Sequence, residues 1–103
     1  MRTPPPAILA LLLASCATFY EARTPAGGHC SDMPVLPDSD PASDKYHRIG
    51  PISSDPIVAT LPEMEESLRR KACARGADAV IDITRHDIPG GWILNGTAAT
   101  VQR

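Results

Sequence analysis

Histidine, cysteine, serine and aspartate are the side chains of this chain that could do chemistry. The nitrogen and sulfur donors are spread along the sequence at His29, Cys30, His47, Cys73 and His86. Imidazole and thiolate suit soft metal ions, but a structural zinc site needs four converging ligands, often supplied as close pairs. The sequence has neither a Cys-x-x-Cys nor a His-x-x-x-His pair. We therefore predict no metal and no other cofactor, and keep a metal or small-ligand carrier that uses these residues as the alternative function.

A nucleophile set could be drawn from Ser53-Ser54-Asp55 and a distant histidine. Serine, histidine and aspartate occur together in almost any chain, and a catalytic set is recognised by its geometry rather than by residue type. Gly90-Gly91 lacks the strand-to-helix context of a phosphate-binding loop, so we predict a turn there. We predict no catalytic residue and expect that the protein is not an enzyme.

Cys16 stands at the end of a short leader. An apolar run of about ten residues follows Arg2 and ends in Leu13-Ala14-Ser15-Cys16, whereas a membrane-spanning helix needs about 20 residues. The leader resembles a bacterial lipoprotein signal with its lipobox, in which Leu and two small residues precede the cysteine that takes the lipid. The resemblance implies a signal peptide over residues 1–15 that is removed on export, and acyl chains such as palmitate on Cys16. One chain would hold the protein marginally and two or three would hold it firmly.

The residue after the lipobox bears on the destination. Ala17 follows Cys16, at the position where an Asp would favour retention at the inner membrane. For a Gram-negative host, the resemblance to sorted lipoproteins therefore implies the periplasmic face of the outer membrane.

Two cysteines remain once Cys16 is assigned to lipid. Cys30 and Cys73 form an even pair in a chain addressed to an oxidising compartment, where disulfides persist. One hypothesis is a disulfide that ties the N-terminal part of the chain to the helix described below. The other is two unrelated thiols, one of them buried, because sequence alone does not place the two α-carbons within bonding distance.

Length and composition bound the function classes. The 103 residues leave room for one small domain. The net charge of −2 comes without a basic stripe, and aromatic residues make up only 4 %, so we expect no nucleic-acid partner. Residues 16–45 are rich in Pro, Ser, Asp and Gly without a helical or strand period. We predict a flexible, disordered tether there, because proline removes backbone donors and favours extended states.

Residues 46–103 predict a small α+β domain in the order β-α-β-β, with one helix packed on a three-stranded sheet. The first strand is expected over 46–52, at an edge or strand end because of Pro51. The second strand is expected over 78–86, with Ala79, Ile81 and Ile83 on one face. The third strand is expected over 92–101, with Gly96 as a bulge or close-approach point. The connection between them is short, which indicates an antiparallel hairpin.

The helix has the clearest boundaries. Thr60 and Glu63 form a capping-box pattern, and Gly76 marks the stop after about Arg75. Acidic residues crowd the first turn and basic residues the later turns, which suits the helix dipole. A folded part of this size buries little core, so we expect help from a disulfide, from homo-oligomerisation or from a partner.

The order of several short motifs supports a family resemblance. Ile49-Gly50, Leu68-Arg-Arg-Lys-Ala72, Gly76-Ala-Asp-Ala-Val-Ile81 and Gly96-Thr-Ala98 follow one another. This order resembles the small α/β domains of the YbjQ-like and RcsF-like group and covers about residues 46–103. The resemblance implies a lipid-anchored periplasmic domain that contacts other envelope proteins in sensing or maintenance. No cysteine follows Cys73, so the disulfide framework of RcsF-like domains is not reproduced, which favours a generic lipoprotein with the same fold.

Overall fold

The computed structural model describes residues 19–55 and 60–101. The predicted signal peptide, residues 1–15, and Cys16 lie outside the described residues. The described part is an α+β unit in which one α-helix packs on a mixed sheet. This confirms the predicted fold class.

The sheet has four strands in the order β1-β3-β4-β2. Strand β1 pairs parallel with β3, and the β3–β4 and β4–β2 pairs are antiparallel. The elements are β1 (Val35–Pro37), β2 (Tyr46–Ser53), α1 (Leu61–Ala74), β3 (Ala79–Ile88) and β4 (Gly91–Val101). Short 3-10 turns occupy Cys30–Asp32 and Pro41–Lys45.

Two expectations about the N-terminal part were wrong. The sheet has four strands rather than three, because β1 lies inside the region predicted to be a disordered tether. Cys30 and Met33, also in that region, are buried in the main core. Prolines here remove backbone donors but keep their carbonyls, and Val80 N–H donates to the carbonyl of Pro34 at 2.9 Å. The described residues 19–45 therefore form part of the domain.

Helix α1 begins and ends as its capping residues predict. Thr60 Oγ1 accepts from Glu63 N–H at 3.3 Å, and its hydroxyl donates to the Glu63 carboxylate at 2.6 Å. Gly76, at φ +75°, takes the left-handed conformation that ends the helix. Met64, Leu68 and Ala72 are buried against the sheet, whereas Leu61 in the first turn is 49 % exposed.

Strand β3 does not keep the simple alternation of its side chains. Its register against β4 shifts between Ile81 and Thr84, and Asp82 has a φ of +56°. A bulge of this kind turns the following side chains to the other face. Ile81, before the shift, belongs with Ala79 to the cluster on the face away from α1. Ile83, two residues further on, consequently packs with the cluster under the helix instead of beside Ile81.

The far face of the sheet is covered by the chain that links β1 to β2. These strands lie at opposite edges, so residues 38–45 must cross the sheet. Arg48 is in register with Ala99, which belongs to the far-face cluster. Asp38, Asp40 and Asp44 from the crossing segment line a cavity together with Arg48 and Asp82. The crossing segment therefore runs over the side opposite α1.

Within residues 19–55 and 60–101, none of the helices is long and apolar enough to cross a membrane.

Candidate functional site

Two of the cysteines in the described part of the chain meet in the structure. Cys30 and Cys73 form a disulfide, and their α-carbons lie 5.8 Å apart, the separation typical of disulfides. Cys30 is fully buried, and Cys73 lies on the side of α1 that faces residues 19–37, called here the N-terminal segment. The two bonded cysteines are separated by 43 positions in the sequence. The bond therefore fastens the N-terminal segment to the helix, as one of the two hypotheses proposed.

Polar contacts hold the N-terminal segment along its length. Arg69 Nε donates to the carbonyl of Met33 at 2.8 Å. The carboxylate of Asp78, only 5 % exposed, accepts from Ala26 N–H at 2.8 Å and from Val101 N–H at 3.0 Å. Asp78 thus joins the N-terminal segment to β4. From the sequence, Asp78 was predicted only as the first residue of a strand.

The start of the described chain carries a compact cluster on the outer side of α1. The guanidinium of Arg70 lies 4.2 Å from the ring centroid of Phe19 and 5.6 Å from that of Tyr20. The carboxylate of Glu66 accepts from the Tyr20 hydroxyl at 2.9 Å and from Arg70 at 3.1 Å. We call these four side chains the aromatic–arginine patch. Tyr20 is 58 % exposed, whereas Phe19 packs partly against the core.

The serines and aspartate considered as a nucleophile set hold elements together. The Ser53 hydroxyl donates to Asn95 Oδ1 at 2.7 Å, and Ser54 Oγ, 2 % exposed, accepts from Leu94 N–H at 2.9 Å. Asp55 pairs with Lys71 Nζ at 2.9 Å. The hydrogen bond from Lys71, together with one from Ser67, lowers the pKa of Asp55. These contacts connect the end of β2 to β4 and α1.

The histidines are not brought together. His29 follows the first turn of the N-terminal segment, His47 lies on the edge strand β2 and His86 lies on β3 near its hairpin, all of them exposed. Cys30 and Cys73 bond to each other, so neither sulfur is a thiolate. Among residues 19–55 and 60–101 no group of three or more His, Cys, Asp or Glu could hold a metal ion.

A bidentate charge pair lies on the far face of the sheet. Arg48 donates to both carboxylate oxygens of Asp82 at 2.8 and 3.1 Å. This hydrogen bond and the positive charge hold the pKa of Asp82 below its ordinary value of 3.8. The pair forms one wall of the cavity of about 260 Å³ under the crossing segment. Arg48 thereby already offsets part of the negative charge there.

No family model, no curated protein and no solved structure matches this chain.

Proposed function

We propose that this chain is a lipid-anchored protein of the bacterial cell envelope that acts through contacts with other envelope proteins. In a Gram-negative host we place it on the periplasmic face of the outer membrane. The leader and the lipobox cysteine at position 16 supply the anchor. The motif order in residues 46–103, which resembles the YbjQ-like and RcsF-like group, supplies the role in sensing or maintenance.

The observation that carries the proposal is the disulfide between Cys30 and Cys73. Disulfides persist in secreted and periplasmic proteins and are rare where cellular thiols stay reduced. Cys30 is fully buried and the bond fixes the N-terminal segment to α1. A structural bond of this kind supports export, and it is independent of the leader.

The state of the polar side chains favours contacts over catalysis. Ser53, Ser54 and Asp55 each make a structural hydrogen bond or ion pair. Side chains already engaged in holding strands together are poor candidates for nucleophile or base, because catalytic groups must reach the reacting atoms. Binding another protein through a complementary surface requires no side chain that is free to reach reacting atoms, so a small fold is sufficient for it.

Metabolic labelling with an alkyne analogue of palmitate in the native host tests the anchor. We expect the native chain to be labelled and to sediment with envelope membranes. The Cys16→Ser variant should be unlabelled and released, because the acyl acceptor is gone. The neighbouring Ala17→Ser variant is the matched control and should be labelled like the native chain. An unlabelled native chain, or equal labelling of Cys16→Ser, would contradict the proposal.

A further inference from the structure

We infer that the aromatic–arginine patch rests on the headgroup layer of the membrane that holds the lipid anchor. This inference depends on the acylation of Cys16 in the proposed function. It assigns a partner, the bilayer surface, to the patch formed by Phe19, Tyr20, Arg70 and Glu66. It also fixes which side of the domain faces the lipid.

The length of chain between the anchor and the folded part is the first argument. Only residues 17 and 18 separate Cys16 from Phe19, and three virtual bonds of 3.8 Å allow a separation of at most about 11 Å between the two α-carbons. The headgroup layer on each side of a bilayer is about 5–8 Å thick. An acylated Cys16 lies at that layer, so Phe19 and Tyr20 must lie within it or directly above it.

The chemistry of the patch is the second argument. Tyrosine rings are enriched at membrane interfaces, where one end of the ring meets apolar groups and the hydroxyl stays hydrated. Tyr20 is 58 % exposed, so its ring is available to the interface. The Arg70 side chain is 49 % exposed, and a guanidinium can donate to lipid phosphate oxygens with its remaining N–H groups.

The short span between Cys16 and Phe19 lets the aromatic–arginine patch bind the membrane although its own affinity for lipid is low. Glu66 pairs with Arg70 at 3.1 Å, so the patch carries no excess positive charge and has little attraction of its own for anionic lipid. Tethering converts docking into an intramolecular step with an effective concentration in the millimolar range for short linkers. The start of the N-terminal segment does not lengthen the span, because Cys30 N–H donates to the carbonyl of Ala22 at 2.9 Å and Phe19 packs against the core.

Bromolipid quenching of a single tryptophan tests the docking with the lipidated full chain. The reporter is Trp92→Phe with Tyr20→Trp, reconstituted in phosphatidylethanolamine–phosphatidylglycerol vesicles that carry bromine near the headgroups. The matched control is Trp92→Phe with Leu61→Trp. Position 61 is 49 % exposed on the same helix as Arg70, and nine residues, about 2.5 turns, put it on the opposite side.

We expect the tryptophan at position 20 to be quenched severalfold more strongly than the one at position 61. A flexible insert of a dozen Gly and Ser residues between Thr18 and Phe19 should remove most of that difference, because the short span is lost. Equal quenching at the two positions in acylated protein would overturn the docking alone, and quenching that survives the insert would overturn the role of the span. Mass spectrometry of the same sample separates the two proposals, since an unmodified Cys16 overturns the proposed function and the docking with it.

Discussion

Reduction of the Cys30–Cys73 disulfide should remove a large part of the stability of this domain. The bond closes a loop with a sequence separation of 43. In the chain-entropy model, a cross-link over such a loop stabilises the folded state by about 4 kcal/mol at 25 °C. Single domains unfold with about 5–15 kcal/mol, and a domain this small belongs at the lower end. The cross-link should therefore account for a third or more of the total.

Urea unfolding of the Cys16→Ser chain, oxidised and then reduced with a phosphine, measures this contribution directly. Reduction leaves the two sulfurs in place, so the comparison isolates the cross-link from the packing of Cys30. We expect the free energy of unfolding to fall by about 4 kcal/mol with a clear shift of the midpoint. The Cys30→Ala/Cys73→Ala chain should behave like the reduced protein or be somewhat less stable, because it also loses buried sulfur.

Hydrogen exchange locates the change. The amides of residues 22–37 should lose protection on reduction before those of β3 and β4, because β1 pairs with β3 over three residues only, whereas β3 and β4 pair with each other along most of their length. A loss below about 1 kcal/mol would refute the reasoning, since the chain-entropy term alone is several times larger. Equal protection of both regions in the reduced state would refute it as well.

Three further predictions concern single positions. Gly96→Ala should cost about 1–3 kcal/mol in thermal or urea unfolding, because a β-carbon there would meet side-chain atoms of β3 at 2.7 and 2.8 Å, while Gly91→Ala, with nothing within 4 Å, should be neutral; equal effects would contradict this. Asp82 has a lowered pKa in the folded state, so its contribution to stability is present above its ordinary pKa of 3.8 and is lost as the pH falls through the folded value. Arg48→Gln should raise the pKa of Asp82 in a carbon-13 titration, and an unchanged value would refute the assignment. Asp78→Ala should cost about 1–3 kcal/mol in all, because the N–H groups of Ala26 and Val101 lose their common acceptor. Those two amides should exchange faster, and unchanged exchange would show that the carboxylate does not hold them.

Local signals were sufficient for the elements whose boundaries depend on neighbouring residues. The capping pair Thr60 and Glu63 and the stop at Gly76 predicted α1 to within about a residue at each end. The short connection before Gly91 predicted the antiparallel hairpin of β3 and β4. Gly96 was predicted as a bulge or close-approach point, and the structure shows a close approach to β3.

The sequence patterns did not predict the pairing of strands that lie far apart in the chain. Strand β1 has three residues, follows Pro34 and ends at Pro37, so it shows no alternation. Its pairing depends on backbone groups of β3 far along the chain. The positive φ of Asp82 reversed the expected faces of β3 beyond it, because a one-residue shift moves each following side chain across the sheet. A pattern of alternating residue types indicates neither the pairing of β1 nor the positive φ of Asp82.

The candidate site was likewise predicted from the sequence only in part. Cys30 and Cys73 were proposed as a pair from their even number and from the predicted oxidising compartment. The alternative of free thiols was settled only by the fold. The basic residues in the later turns of α1, Arg70 among them, were related only to the helix dipole. Nothing in the sequence placed Phe19 and Tyr20 beside Arg70. Contacts between the first described residues and a helix some fifty positions later need the folded N-terminal segment, which was predicted as a tether.

The intact mass of the mature protein, purified from native-host membranes without reductant, tests the central claim most directly. We predict a chain cut before Cys16, with acyl chains on that residue and with Cys30 and Cys73 oxidised to each other. A chain that keeps residues 1–15, or that begins at Cys16 without lipid, would contradict the account.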